Sequence, residues 1–439
     1  MDRFLMERLV EWKGSRRRKP LVLGGARQVG KTWLLKEFGR RHFEKLAYVS
    51  LDNDEVGCSF FERDFDTSRI IDDLSLHTGV DIGAGDTLVV IDEVQACPKA
   101  IASLKYFCEN APELAVAAAG SLLGLSAHEG TGWPVGKVDT LSLHPLSFRE
   151  FLDAVGGTAL RKLLDSGDAA RMASFAPKAE TLLRQYYVVG GMPAAVDAFS
   201  QGADLAEVRR LQDGILEDYR RDFTKHAPYR TLPRMMEAWD SIPSHLAQEN
   251  KKFVFGHVRR GARAKDYEEA LVWLAQAGLV VKVPRVTRAG LPLSSYNDNK
   301  SFKVFLLDVG LLAAMSGLEP AAVLEGNAVF TEFKGALAEQ YVCQQLVSDC
   351  GMRPFYWSAE NSTGEVDFLV QDAGRVTAIE VKAEENLRSK SLRAFKDKNP
   401  DAAAVRFSLS GYREQDWMVN IPLYALANVL LWQKGGKRA

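Results

Sequence analysis

Short apolar runs separated by longer amphipathic stretches dominate the first third of the chain. Leu21–Gly24, Leu46–Leu51, Thr87–Ile91 and Leu114–Ala119 read as buried strands, with a fifth at Val138–Leu143. Between them Thr32–Arg41, Ser68–Thr78 and Ala100–Asn110 carry apolar residues at helical spacing. This alternation predicts an α/β fold with a mainly parallel sheet and helices on both faces. Ahead of it, residues 1–20 form an expected amphipathic helix with Phe4, Leu5, Leu9 and Trp12 on one side. The basic run Arg16–Lys19 is read as its solvated end.

The pattern then changes. From about Leu146 to Ala247 it is mainly helical. Asp266–Ala277 is a helix stopped by Gly278, and apolar strands follow at Leu279–Val283 and Lys303–Leu307. A helix followed by two strands resembles a winged helix-turn-helix. A long helix runs from near Phe330 to Ser348, followed by strands at Pro354–Trp357, Glu365–Val370 and Val376–Val381. The expected domains are 1–145, 146–248, 249–325 and 326–439. No repeat of fixed period is visible.

Composition narrows the class. At 439 residues the chain is long enough for several domains. A hydrophobic share of 46% and a charged share of 26% are ordinary for a soluble protein. The formal net charge of −1 gives no global field toward nucleic acid or an anionic membrane. Five scattered cysteines without a CxxC pair argue against a zinc ribbon and fit a reducing compartment. No run approaches the roughly 20 apolar residues of a membrane span. The expectation is a cytoplasmic protein with no membrane partner.

Three short segments carry chemistry. Gly25, Ala26, Arg27, Gln28, Val29, Gly30, Lys31 and Thr32 fit G-x-x-x-x-G-K-[ST] between a strand and a helix. The glycines let successive N–H groups converge on phosphate, and the helix adds its positive end. Lys31 is expected at the β/γ-phosphates of ATP, and the Thr32 hydroxyl on Mg²⁺. Leu88–Glu93 is a buried strand ending in two acids. Asp92 is placed to hold Mg²⁺ and Glu93 to polarise the attacking water. Ser121 follows the next strand, where a sensor of the γ-phosphate belongs.

In the last segment Glu380 and Lys382 alternate with Ile379 and Val381, so the two polar residues share one strand face. Asp367 is expected beside them on a neighbouring strand, and Glu339 from the long helix completes the group. Such carboxylates suit a second divalent metal, with Lys382 orienting water or stabilising phosphate charge. A structural role for the alternating strands and a nuclease-like one both stay open on these residues. The acids Asp266, Glu268 and Glu269 at the start of the expected recognition helix oppose phosphate contact. Arg259, Arg260, Arg263 and Lys265 just before it offset them, so protein packing and DNA contact also stay open.

The order GGARQVGKT, VVIDEVQ, AAGS, HPLSFREFL and YYVVGGMPAAV resembles a bacterial and archaeal family of AAA+ ATPases with a distinctive C-terminal domain. The resemblance extends to about Ala427. It implies an AAA-type P-loop core, a helical and winged-helix middle, and a restriction-endonuclease-like end of the PD-(D/E)xK type. It implies homo-oligomers as well, but no biological role: ATP hydrolysis is read from Glu93 beside Asp92, and DNA or RNA as a partner from the C-terminal carboxylates. Family members often carry arginine where this chain has Lys137 after Gly136. Lysine lacks the planar fork of an arginine finger. Arg149, Arg220 and Arg221 are the other candidates for a phosphate-contacting cation. The main reading is an ATPase with a nucleic-acid-directed C-terminal domain. The alternative is a signalling or assembly ATPase whose later domains contact proteins.

Overall fold

A computed structural model describes residues 1–121, 132–325, 328–359, 364–383 and 389–429. The chain divides into two compact units. The first comprises Asp2–His144 with Gln276–Leu279, and the second Pro145–Ala275 with Val280–Ala439.

The first unit contains strands β1 (Leu21–Gly24), β2 (Lys45–Ser50), β3 (Thr87–Asp92), β4 (Ala115–Ala119) and β5 (Asp139–Ser142). They form one sheet in the order β2-β3-β4-β1-β5, and every pairing is parallel. All residues of β3 and β4 are buried, as expected where helices cover both faces of a parallel sheet. Val22, Val49, Ile91 and Val116 from the strands pack with Ile70 and Leu104 from the helices Thr67–Thr78 and Pro98–Asn110. A further helix, Glu55–Glu62, is capped by Asp54, whose carboxylate accepts the Gly57 N–H at 2.8 Å. Its short length left no clear periodic signal in the sequence.

The second unit begins with the helices of residues 148–246. The first of them, Phe148–Ala154, starts with a capping box. Ser147 Oγ accepts the Glu150 N–H, and Glu150 in turn accepts the Ser147 N–H. Strands β6 (Val280–Val286), β7 (Asn297–Leu306), β8 (Phe355–Ser358), β9 (Glu365–Asp372), β10 (Arg375–Val381), β11 (Ala403–Ser408), β12 (Arg413–Glu414) and β13 (Val419–Pro422) follow. They form a single mixed sheet ordered β12-β13-β11-β10-β9-β8-β6-β7.

The hairpin read in the sequence as a wing, β6 with β7, therefore extends the C-terminal sheet, because Arg285 and Val286 pair with Tyr356 and Trp357 of β8. Val286 packs in the same core as Phe355, Leu369, Ala378 and Phe395. The helix preceding the hairpin, Ala264–Gln276, buries Tyr267, Leu271, Trp273 and Leu274. No helix among the described residues is long and apolar enough to cross a membrane.

Candidate nucleotide-binding site

The carboxyl ends of β1, β3 and β4 bring the three N-terminal motifs to one edge of the sheet. β4 lies between β3 and β1. Gly25 follows β1, Asp92 ends β3, and Ser121 comes two residues after β4. Ligands of open parallel sheets bind at this edge.

Backbone conformation shapes the loop. Gly25, Gln28 and Gly30 have φ of 140°, 64° and 94°. A Cβ on Gly25 would stand 2.2 Å from the Leu143 carbonyl oxygen, so only glycine fits there. Gly30 precedes the helix Lys31–His42 and caps it without a side-chain bond. The first-turn N–H groups of that helix have no intrahelical partners, which makes the terminus an anion site.

Lys31 is buried and donates to the carbonyl oxygens of Gly25 at 3.0 Å and Ala26 at 2.8 Å. Burial pulls its pKa down to about 8, against the opposing pull of Glu93 and Asp92, while Arg27 adds to the lowering. Thr32 Oγ1 donates to Asp92 Oδ2 at 2.6 Å. Tyr48 Oη, from β2, donates to the same oxygen at 3.1 Å. Asp92 Oδ1 accepts the Glu93 N–H at 2.9 Å. The hydroxyl of Thr32 and the carboxylate of Asp92 thus meet at the helix start, and hard oxygen donors of this kind suit Mg²⁺.

Glu93 itself has φ 50° and ψ 40°. A non-glycine residue in the left-handed region is strained by about 1–3 kcal/mol and is retained where the surroundings fix it. Gln95 Nε2 donates to Glu93 Oε2 and orients the carboxylate. Ser121 is buried, and the preceding Gly120 N–H bonds the Leu23 carbonyl at 3.4 Å.

Tyr48 and Gln95 were not legible as site residues. Tyr48 follows β1 by some twenty positions and reaches Asp92 only because β2 pairs with β3. Gln95, two residues after Glu93, gave no signal beyond its proximity.

The cationic candidates are engaged within their own chain. Lys137 pairs with Glu109 at 2.8 Å. Arg149 forms a two-point pair with Asp165 and reaches Asp349 at 3.2 Å. Burial disfavours the Arg149 charge, but these acids outweigh it and hold the pKa above its ordinary value. Arg220 pairs with Asp240, and Arg221 with Glu217 and Asp218.

The C-terminal carboxylates are distributed among lysines. Lys382 Nζ lies 3.1 Å from Glu380 Oε1, so these two side chains share a face as their spacing predicts. Asp367 Oδ2 accepts the Val381 N–H at 2.7 Å. Glu339 is paired with Lys251 at 2.8 Å and Lys303 at 3.6 Å. Burial opposes the Glu339 charge, but the two lysines keep its pKa below the ordinary value. Asp367 is pushed up to about 7, first by burial and then by the charge of Glu339. No three of the described His, Cys, Asp and Glu residues converge as metal ligands. The second divalent ion expected there has no ligand set among the described residues: Glu339 and Glu380 face ammonium groups of the same chain, and Asp367 accepts a backbone N–H.

Residues 17–152 match the AAA domain family. Residues 180–322 match a domain of unknown function, DUF8612, and residues 334–426 another, DUF4143. The first unit is thus an AAA-type P-loop domain. No curated protein matches the chain.

Among solved structures, the Walker-type ATPase PABY2304 of Pyrococcus abyssi is 15% identical, with a TM-score of 0.44, covering 72% of this chain and 95% of its own. The ORC1 protein of Aeropyrum pernix, solved in complex with DNA, is 15% identical at a TM-score of 0.29, covering 73% and 92%. Cdc6p of Pyrobaculum aerophilum is 12% identical at 0.23, covering 70% and 88%. Overlays this loose carry no functional argument.

Proposed function

We propose that the AAA domain binds ATP with Mg²⁺ and hydrolyses it, and that the rest of the chain holds a macromolecular partner whose engagement the nucleotide controls. The observation that carries this reading is the bond between Thr32 and Asp92, which sets two hard ligands beside a phosphate cradle. Backbone N–H groups of Gly25–Thr32 bind phosphate oxygens. Lys31 leaves the loop carbonyls for the β/γ-phosphates. Thr32 and Asp92 would hold Mg²⁺, which would supply positive charge to offset that of the phosphates. Glu93 accepts a proton from the attacking water, and Ser121 is the γ-phosphate sensor. A homo-oligomer in which Lys137 reaches a neighbour's nucleotide requires that lysine to leave Glu109.

Mg²⁺-dependent release of phosphate from ATP by the full chain tests the proposal, measured with and without DNA or RNA. Lys31→Ala is expected to weaken nucleotide binding by about a hundredfold, the loss of a charge-assisted contact of ~3 kcal/mol. Turnover by Lys31→Ala equal to that of the parent chain would remove the P-loop from the reaction. Stimulation by one nucleic acid would place the partner in that class.

The low pKa of Lys31 gives a pH signature. In the free protein the ammonium loses its proton from about pH 8 upward. A polyphosphate beside it favours the charged form and raises that pKa. Binding therefore takes up a proton at alkaline pH, and affinity is full below about pH 8 and falls as pH rises. The fall approaches tenfold per pH unit until the bound-state pKa is reached. Calorimetric titration across this range, in buffers of different ionisation enthalpy, reads both the affinity and the proton count. A constant affinity with no proton uptake would show that Lys31 does not meet the phosphates.

A further inference from the structure

Glu339, read in the sequence as a metal ligand, and its neighbour Glu365 receive positive charge from this chain's own lysines. Lys303 on β7 is 1% exposed, and its ammonium lies 2.7 Å from Glu365 and 3.6 Å from Glu339. Glu339, itself buried, takes Lys251 on its other oxygen at 2.8 Å. Lys251 is a non-glycine residue with φ 49°, a strained conformation that persists only where the surroundings fix it. What fixes it here includes the Glu339 pair and burial of the side chain. A hard divalent ion requires several oxygens at about 2.0–2.6 Å. An ion using Glu339 would lie within about 4–6 Å of Lys303, a like charge in a site from which water is largely excluded.

We propose that Lys303 and Lys251 occupy the place of a divalent cation beside Glu339, so that the domain holds Glu339 and Glu365 in ion pairs with its own lysines and does not cleave by a metal-dependent route. Lys303 belongs to the β6–β7 hairpin, whereas Glu339 belongs to the helix Ala328–Ser348 and Glu365 to β9. The pairs therefore tie the hairpin to the C-terminal sheet and its helix. A metal centre that uses Glu339 needs that carboxylate free. This inference is independent of ATP hydrolysis.

The test uses full-length chain carrying Asp92→Asn, which removes the acid at the P-loop, and measures retained Mn²⁺ by electron paramagnetic resonance. That chain is expected to retain no Mn²⁺. Adding Lys303→Met is expected to create a site with at least about a hundredfold greater affinity and to make thermal stability rise with Mn²⁺. Lys251→Met, which uncovers the other oxygen of Glu339, serves if Lys303→Met does not fold. Mn²⁺ retained by the Asp92→Asn chain and lost on further change of Asp367→Asn would overturn the proposal. So would a folded lysine variant with no gain in Mn²⁺ affinity, or Mn²⁺-dependent cutting of DNA or RNA by the parent chain that Asp367→Asn abolishes. The Asp92→Asn arm decides alone if both lysine variants fail to fold.

Discussion

Glu93→Gln is expected to leave ATP bound and to lower turnover by about 10²–10⁴-fold, the range of a lost general base. Glutamine preserves the length and volume of the side chain. It can still hydrogen-bond to Gln95, which orients the carboxylate in the parent chain. The left-handed backbone at this position is fixed by the turn into the segment Val94–Ala96 and by the Asp92 bond to the Glu93 N–H. The change therefore removes the basic oxygen and little else. Single-turnover hydrolysis with a parallel measurement of nucleotide affinity separates the two steps. Asp92→Asn should differ, because the Asp92 carboxylate faces Thr32 and Tyr48 and its loss weakens Mg²⁺-nucleotide binding itself. Full turnover in Glu93→Gln would assign water activation to another group. Weakened binding equal in the two variants would make Glu93 part of the cradle instead.

How much of this site could be read in advance follows from how each residue reaches it. Gly25–Thr32 is contiguous, and its chemistry depends on local backbone geometry, so a linear motif suffices. Asp92 ends a strand whose six residues are all buried and Glu93 follows it, and the unbroken apolar run Leu88–Ile91 just before two acids is conspicuous. Tyr48 arrives through the pairing of β2 with β3, an adjacency that no local pattern encodes.

The C-terminal group shows the same limit more sharply. The alternation of Glu380 and Lys382 predicts their shared face. Lys303 and Lys251 change the meaning of the cluster, yet both lie in the segment read as a separate winged helix. Their approach depends on β6 joining β8, a parallel pairing between strands with the long helix Ala328–Ser348 between them in sequence. The motif YYVVGGMPAAV was legible as a resemblance but not as physics. The role of its glycines is set by a buried polar cluster around Leu146 and Asp308.

Gly191→Ala is expected to prevent stable folding of the second unit, with a loss of at least about 4 kcal/mol, at the severe end of single substitutions. A Cβ on Gly191 would stand 2.0 Å from the Leu146 carbonyl oxygen and 2.8 Å from its nitrogen. Neither atom can yield, because the Leu146 N–H bonds the Gly191 carbonyl at 2.7 Å and the Leu146 carbonyl accepts from Tyr186 Oη. The neighbouring Asp308 is fully buried. It accepts N–H groups of Gly191 at 2.6 Å and Leu311 at 3.0 Å, and the Gln344 amide at 3.0 Å.

Gln340, Gln344 and Gln345 of the long helix act as backbone substitutes in the same core. They accept the N–H groups of Leu306, Val309 and Phe148. Asp308→Ala strands the Gly191 and Leu311 N–H groups and the Gln344 amide without water, and at about 1–3 kcal/mol for each unsatisfied group should cost about 3–5 kcal/mol. Asp204→Ala provides the comparison. Asp204 also accepts a backbone N–H, that of Glu207 at 2.7 Å, but at an exposed helix start. That cap should cost only ~1 kcal/mol. Urea unfolding ranks Asp308→Ala against Asp204→Ala, and circular dichroism of the purified chain reads the loss of folded structure in Gly191→Ala. Equal losses for Asp308→Ala and Asp204→Ala would show that the buried cluster adds nothing beyond ordinary capping. The effect on ATP turnover of Asp308→Ala, measured on the folded fraction, then tells whether the AAA domain depends on the integrity of this core.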